Sequence, residues 1–183
     1  MGNLHLGSAL LIVRAGSVKN SHHRRSQGTS SFSQASSTGI GRWIEAKFDG
    51  HRVAIWRLPD TVRLHTRAGR DVTSQWMDLA VPAMELRAAT VLDGEAVVYV
   101  GGRVDFSAAQ SRSASRPARA RALAQLHPAS YAAFDVLQHP DHGDARHLSY
   151  LQRRALLREL LEGLGPPLQA VPATNDRDVA AFW

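Results

Sequence analysis

The sequence predicts an α+β chain, and three observations carry that prediction. Two alternating runs, 43–48 and 51–57, flank Asp49-Gly50, the pattern of paired extended segments. Two further runs, 90–100 and 131–137, are apolar, rich in strand-forming residues and hold embedded acids, as buried strands with a task do. A leucine-rich segment follows Ser149-Tyr150-Leu151-Gln152, a capping box that opens a helix.

Composition bounds the problem without selecting a function. At 183 residues, 44% hydrophobic and 21% charged, the chain is long enough for one domain with a real core. The net charge of +6 is carried mostly by arginine. It suits a polyanionic partner such as nucleic acid or a nucleotide, yet an arginine-rich, GC-rich genome yields the same excess. Cysteine is absent, which excludes disulfides, thiolate metal sites and a cysteine nucleophile and fits a cytoplasmic protein. The apolar run 9–13 is too short to cross a bilayer and lacks the flanks of a signal peptide, so no membrane partner is expected.

In chain order, residues 1–41 read as a disordered or atypical N-terminal segment. Ser, Gly, His, Asn and Arg dominate 16–41, too little apolar area to offset ordering entropy. His22 and His23 sit there and carry no metal expectation. Residues 42–183 form the second unit. In an extended 43–48, Trp43, Glu45 and Lys47 share one face and Ile44, Ala46 and Phe48 the other. Asp49-Gly50 reads as a hairpin turn, because glycine takes positive φ without steric cost, and Arg52 returns close to Lys47 across it. Pro59-Asp60 turns into a strand over 61–67, which Ala68-Gly69 ends. Thr73 or Ser74 caps a helix running to about Arg87, apolar at Trp76, Leu79, Ala80, Ala83 and Leu86 and interrupted at Pro82.

The strand over 90–100 is interrupted by Asp93-Gly94-Glu95, with Glu95, Val97 and Tyr99 on one face. Gly101-Gly102 turns the chain. Arg112, Arg116, Arg119 and Arg121 stand without an acid among them, either a phosphate-contacting stretch or a solvated helix face, and Pro117 suits a helix start. Residues 139–147 read as a polar loop. The helix from Ser149 buries Leu151, Leu156, Leu157, Leu160 and Leu161 and stops at Gly163. A last helix starts at Asn175.

Four of these stretches, taken together, carry a resemblance. Glu45-x-Lys47-x-Asp49-Gly50-x-Arg52, preceded by Trp43, resembles the nucleotidyl-transfer motif of ATP-dependent DNA ligases, shared more loosely with RNA ligases and mRNA capping enzymes. Thr66-Arg67-Ala68-Gly69-Arg70-Asp71-Val72-Thr73, Leu92-Asp93-Gly94-Glu95 and the strand from Tyr131 to Leu137 resemble later motifs of the DNA ligase series, in order.

The resemblance implies an α+β nucleotidyltransferase (ATP-grasp-like) fold of antiparallel sheets with helices outside, here an incomplete adenylation domain over 42–183. It implies that Lys47 attacks the α-phosphorus of ATP and carries AMP as a phosphoramide, with Mg2+ or Mn2+ assisting. Glu45, Arg52, Arg67, Glu95 and Phe134 would meet the nucleotide, Phe134 by stacking on adenine and Glu95 through the ribose or the metal. Asp49, Gly50, Asp93 and Gly94 would shape the motifs, and Asp135 would be structural or metal-proximal. The implied macromolecular partner is nicked double-stranded DNA, in repair or recombination. The family's later Glu-Gly and Lys-x-Lys motifs and its oligonucleotide-binding domain are absent from these residues, which makes a separate chain supplying them a further candidate partner. Two other readings stay open: a remnant that only binds ATP or nucleic acid, and an RNA ligase or capping-type enzyme.

Overall fold

The computed structural model describes residues 10–15 and 42–181. The chain runs β1 (Leu10–Ala15), β2 (Arg42–Lys47), β3 (His51–Arg57), β4 (Val62–Thr66), α1 (Met77–Ala80), β5 (Thr90–Val100), β6 (Arg103–Val104), α2 (Phe106–Ala114), α3 (Pro117–Leu126), β7 (Ala129–His139), β8 (Gly143–Asp144), α4 (Tyr150–Leu161), β9 (Leu168–Ala170), β10 (Ala173–Thr174) and α5 (Arg177–Ala180). A seven-stranded sheet has the order β4-β3-β5-β7-β8, with β6 added to β5 and β9 to β7; a three-stranded sheet has the order β1-β2-β10. Every pairing is antiparallel except β7 with β9.

The expected hairpin at Asp49-Gly50 does not form. β2 pairs with β1 and β10, while β3 pairs with β4 and β5, so residues 48–50 carry the chain from one sheet to the other. Gly50 is not among the glycines with positive φ. It is needed because a Cβ there would lie 2.6 Å from the Ala96 carbonyl oxygen. Close approach, rather than turn conformation, explains it.

β5 is the centre of the large sheet, and Asp93-Gly94-Glu95 does not interrupt it: the strand is continuous between β3 and β7. Gly94 permits this, since a Cβ there would lie 2.5 Å from Tyr131 Cζ. Against β7 the register shifts twice. Asp93 faces Asp135 while Gly94 faces Ala133, so Phe134 is an extra residue in a bulge, the device by which strands re-aim a side chain.

The segment after β4 is three short pieces, 3-10 turns at Thr73–Gln75 and Pro82–Glu85 on either side of α1, not one helix. Pro82 has no N–H to continue the helix. Thr73 does not cap either; its Oγ1 accepts the Leu64 amide at 2.9 Å, and Asp71 Oδ1 takes the Thr73 amide at 2.8 Å. The apolar pattern was nonetheless sound, because Trp76, Leu79, Ala80, Ala83 and Leu86 are all buried. They join Val53, Ile55, Leu64, Leu92, Val136 and Leu157 in the main core, where each large side chain contributes about 1.5–3 kcal/mol by leaving water.

Arg112 belongs to this core and is not a phosphate contact. It is 1% exposed, bonded to the Asp78 carboxylate, donates Nε–H to the Gln75 carbonyl at 2.9 Å and stacks 4.4 Å over Trp76. α2 is capped by Asp105, which accepts the Ala108 amide, and Pro117 opens α3 as expected. The capping box of α4 forms in full. Leu157, Leu160 and Leu161 are buried, but Leu151 is exposed. α5 is capped by Asp176 rather than Asn175. The stretch read as a loop from His139 begins inside β7 with a buried ring and includes β8.

Leu10–Ala15 corrects part of the N-terminal expectation: it is a strand paired with β2 along its whole length. The rest of that segment, His22 and His23 included, lies outside the described residues. Among the described residues no helix is long and apolar enough to cross a membrane.

Candidate active site

A second, small apolar cluster of Ala46, Phe48, Val97 and Val171 forms where the two sheets meet, with Ala132 and Phe134 packed against it. Beside it opens a cleft of about 220 Å³ bounded by Glu45, Lys47, Arg52, Glu95 and Phe134. Lys47 is the last residue of β2 and Arg52 the second of β3. Glu95 lies opposite Arg52 in the β3–β5 register. Residues distant in sequence therefore converge because β2 leaves the sheet that β3 and β5 share.

Lys47 Nζ donates to Asp49 Oδ1 at 2.8 Å, and this hydrogen-bonded pairing raises the lysine pKa. Glu95 is the most perturbed group of the cleft. Burial pushes its pKa up to about 7, against the opposing pull of the Gly50 amide, Arg52 and Lys47. Its Oε2 accepts the Gly50 N–H at 3.0 Å. A carboxylate held above its usual range by desolvation is under-compensated and suits a cationic or hydrogen-bonding ligand.

Arg52 forks onto Asp93, with Nε to Oδ1 at 3.1 Å and Nη2 to Oδ2 at 2.6 Å, which raises the Arg52 pKa. Its guanidinium lies 5.2 Å from the centre of the Phe134 ring, which the bulge in β7 brings beside the cleft. Asp93 thus orients Arg52, rather than shaping a loop. Glu45 is tied to α4: Oε1 accepts the Tyr150 hydroxyl at 2.8 Å, with Arg154 Nη1 at 3.9 Å.

Arg67 is not brought to the Lys47 cleft. It is exposed and bounds a separate hollow of about 490 Å³ with Arg52, Trp56, His65 and Asp93. Arg52 borders both spaces, and its partner Asp93 the hollow. Asp135 bonds Arg153 Nε at 2.7 Å, tying β7 to α4. Sequence reasoning missed Tyr150 and Arg154 as partners of Glu45. The signal available was the buried, acid-bearing β2 itself, since a Glu on such a strand requires a partner from another element.

Two antiparallel sheets meeting at a lysine-bearing cleft, with helices outside, define a nucleotidyltransferase-type fold. Solved structures agree. The ligase domain of LigD from M. tuberculosis matches with a TM-score of 0.55 and 32% identity, covering 72% of this chain and 39% of that one. A mycobacterial DNA ligase D complexed with ATP and MES matches with a TM-score of 0.52 and 30% identity, over 72% and 39%.

The model of the ATP dependent DNA ligase domain matches residues 26–182, and the chain belongs to that family. DNA ligase C2 of Mycolicibacterium smegmatis is 35% identical over 144 residues, 78% of this chain and 40% of the relative. DNA ligase C of Mycobacterium tuberculosis is also 35% identical over 144 residues, 76% and 40%. The chain therefore spans about 40% of the length of these relatives.

Proposed function

We propose that this chain carries out the first half-reaction of an ATP-dependent DNA ligase, with Lys47 as the nucleophile. The observation that carries the reading is the cleft itself, where the Lys47 amine, the under-compensated Glu95 carboxylate and the Phe134 ring converge. Neutral Lys47 Nζ attacks the α-phosphorus of ATP. An N–P bond forms, the bond from the α-phosphorus to the bridging oxygen breaks, and pyrophosphate leaves. The proton of Lys47 must go first. Asp49, bonded to it at 2.8 Å, can accept it, and desolvation around a bound nucleotide favours the neutral amine.

Phe134 offers a face for the adenine, and Asp93 holds Arg52 beside that face. Glu95 takes a ribose hydroxyl or a metal. A carboxylate in this state fits Mg2+ or Mn2+, hard cations that share oxygen ligands with substrate phosphates, and such a cation when bound neutralises phosphate charge. In the further steps AMP passes to a DNA 5′-phosphate and a 3′-hydroxyl seals the nick, as repair or recombination requires. Arg67, exposed at the hollow it shares with Arg52 and Asp93, would meet the DNA end.

Incubation with α-labelled ATP and Mg2+ or Mn2+ tests the reading. Label that survives denaturation on the wild type, but not on Lys47→Ala, is the expected result. A folded wild-type chain that binds ATP and takes no label would instead mark a nucleotide-binding protein without the transfer step.

A further inference from the structure

Beyond Phe134, β7 ends at His139, whose ring is buried. Its Nδ1 accepts the Asp141 amide at 3.2 Å. Its Nε2 is buried without a hydrogen-bond partner and faces Glu159 Oε1, on α4, at 3.7 Å. Such an orphaned nitrogen is costly in a folded interior. One ligand atom each from His139, Asp141 and Glu159 lie within 4.8 Å of one another. Metal–ligand distances of about 2.0–2.2 Å require these atoms to close in modestly. The two carboxylates are free to do so, since the Asp141 and Glu159 side chains are 57% and 55% exposed.

The position already carries a cation. Arg87 Nη2 donates to both oxygens of Asp141, at 2.7 and 2.8 Å, and Arg87 Nη1 lies 3.7 Å from Glu159. Its side chain is half exposed, so it can swing into solvent.

We propose that His139, Asp141 and Glu159 form a site for a divalent transition metal of the Zn2+ class, with Arg87 as the cation that holds the two carboxylates in the metal's absence. One imidazole nitrogen with two carboxylate oxygens favours Zn2+ or Co2+ over Mg2+, which prefers oxygen throughout. Binding through Nε2 moves the ring proton to Nδ1 and releases the Asp141 amide. The neighbouring His142 ring, 4.9 Å from that of His139 between centres, is a fourth ligand within reach. The metal would tie the β7–β8 turn to α4 as a structural clamp, apart from the nucleotide chemistry.

Titration of the metal-free full chain with Co2+, in excess Mg2+, tests this through the ligand-field absorption of bound cobalt, with Zn2+ as competitor. The expected result is a saturable signal that Zn2+ abolishes. Asp141→Asn and Glu159→Gln, surface substitutions checked for folding by circular dichroism, should each weaken binding about tenfold or more, and Arg87→Gln should tighten it. A signal unchanged in the Asp141 and Glu159 variants would place the metal on other histidines and overturn the proposal. Absence of a saturable signal in both the wild type and Arg87→Gln would overturn it equally.

Discussion

The Gly50 amide donates to Glu95 Oε2 at 3.0 Å, so the crossing between the two sheets is fastened to the most perturbed carboxylate of the cleft. Glu95 is protonated more readily in the folded protein than in the unfolded chain, because its pKa rises from 4.5 to about 7. Its contribution to stability therefore falls as pH rises from about 4.5 through about 7. Glu95→Gln removes that dependence. The variant should gain on the wild type by roughly 1–2 kcal/mol between pH 4.5 and 8, a figure reduced for the screening of a partly solvated group. Urea denaturation at several pH values measures it; parallel curves for the two proteins would refute the assignment.

Asp49 is expected to govern the protonation of Lys47. Its hydrogen bond raises the lysine pKa, so Asp49→Asn should lower it and make the amine more reactive towards an acylating reagent at a given pH. Competitive labelling of Lys47 against the N-terminus gives the shift directly. An unchanged titration would mean that the ion pair does not persist in solution.

Gly94→Ala should cost about 1–3 kcal/mol, because the new methyl would meet Tyr131 Cζ at 2.5 Å and the Ala132 carbonyl oxygen at 2.7 Å. Gly69→Ala supplies the contrast. Nothing lies within 4 Å of a Cβ there, but φ is +80°, so the cost is conformational and about 1 kcal/mol. Tyr131→Leu should offset part of the loss when combined with Gly94→Ala and none of it when combined with Gly69→Ala.

Arg112→Met should destabilise the fold by about 3 kcal/mol, the scale for removing one partner of a buried pair, since Asp78 would lose its cation. Arg119→Met, on an exposed position of α3, should change stability by less than about 0.5 kcal/mol. Chemical denaturation separates the two, and equal effects would contradict the burial of Arg112.

The local features were the legible ones. The capping box at Ser149 and the buried stripe from Trp76 to Leu86 follow from spacing alone, because side-chain period and capping are properties of neighbouring residues. What could not be read was the choice of partner. Asp49-Gly50 fits a hairpin by every short-range rule, yet β2 takes β1 and β10, and that choice rests on pairings with residues far along the chain. The same limit hid the contact of Tyr150 with Glu45, and the escape of Arg67 to a separate hollow. Three of the four motifs named the residues of the cleft, whereas the bulge that aims Phe134 and the crowding that demands Gly50 are visible only once β5 is paired with its neighbours.

The stretch from Leu168 to Thr174 has a consequence for how the protein comes into being. It adds β9 to β7 and β10 to β2, with the Val171 amide on Ala133 and the Pro172 carbonyl on the Ala46 amide, so one short ribbon joins both sheets. A growing chain that has left the ribosome as far as Phe134 holds every residue named in the cleft but lacks the ribbon that seats β2 against the large sheet. Closing so long a loop is slow. Lys47 thus leaves the ribosome well before the ribbon that seats its strand, and a polypeptide stopped short of Leu168 would hold the side chains of the cleft without the pairing that joins the two sheets.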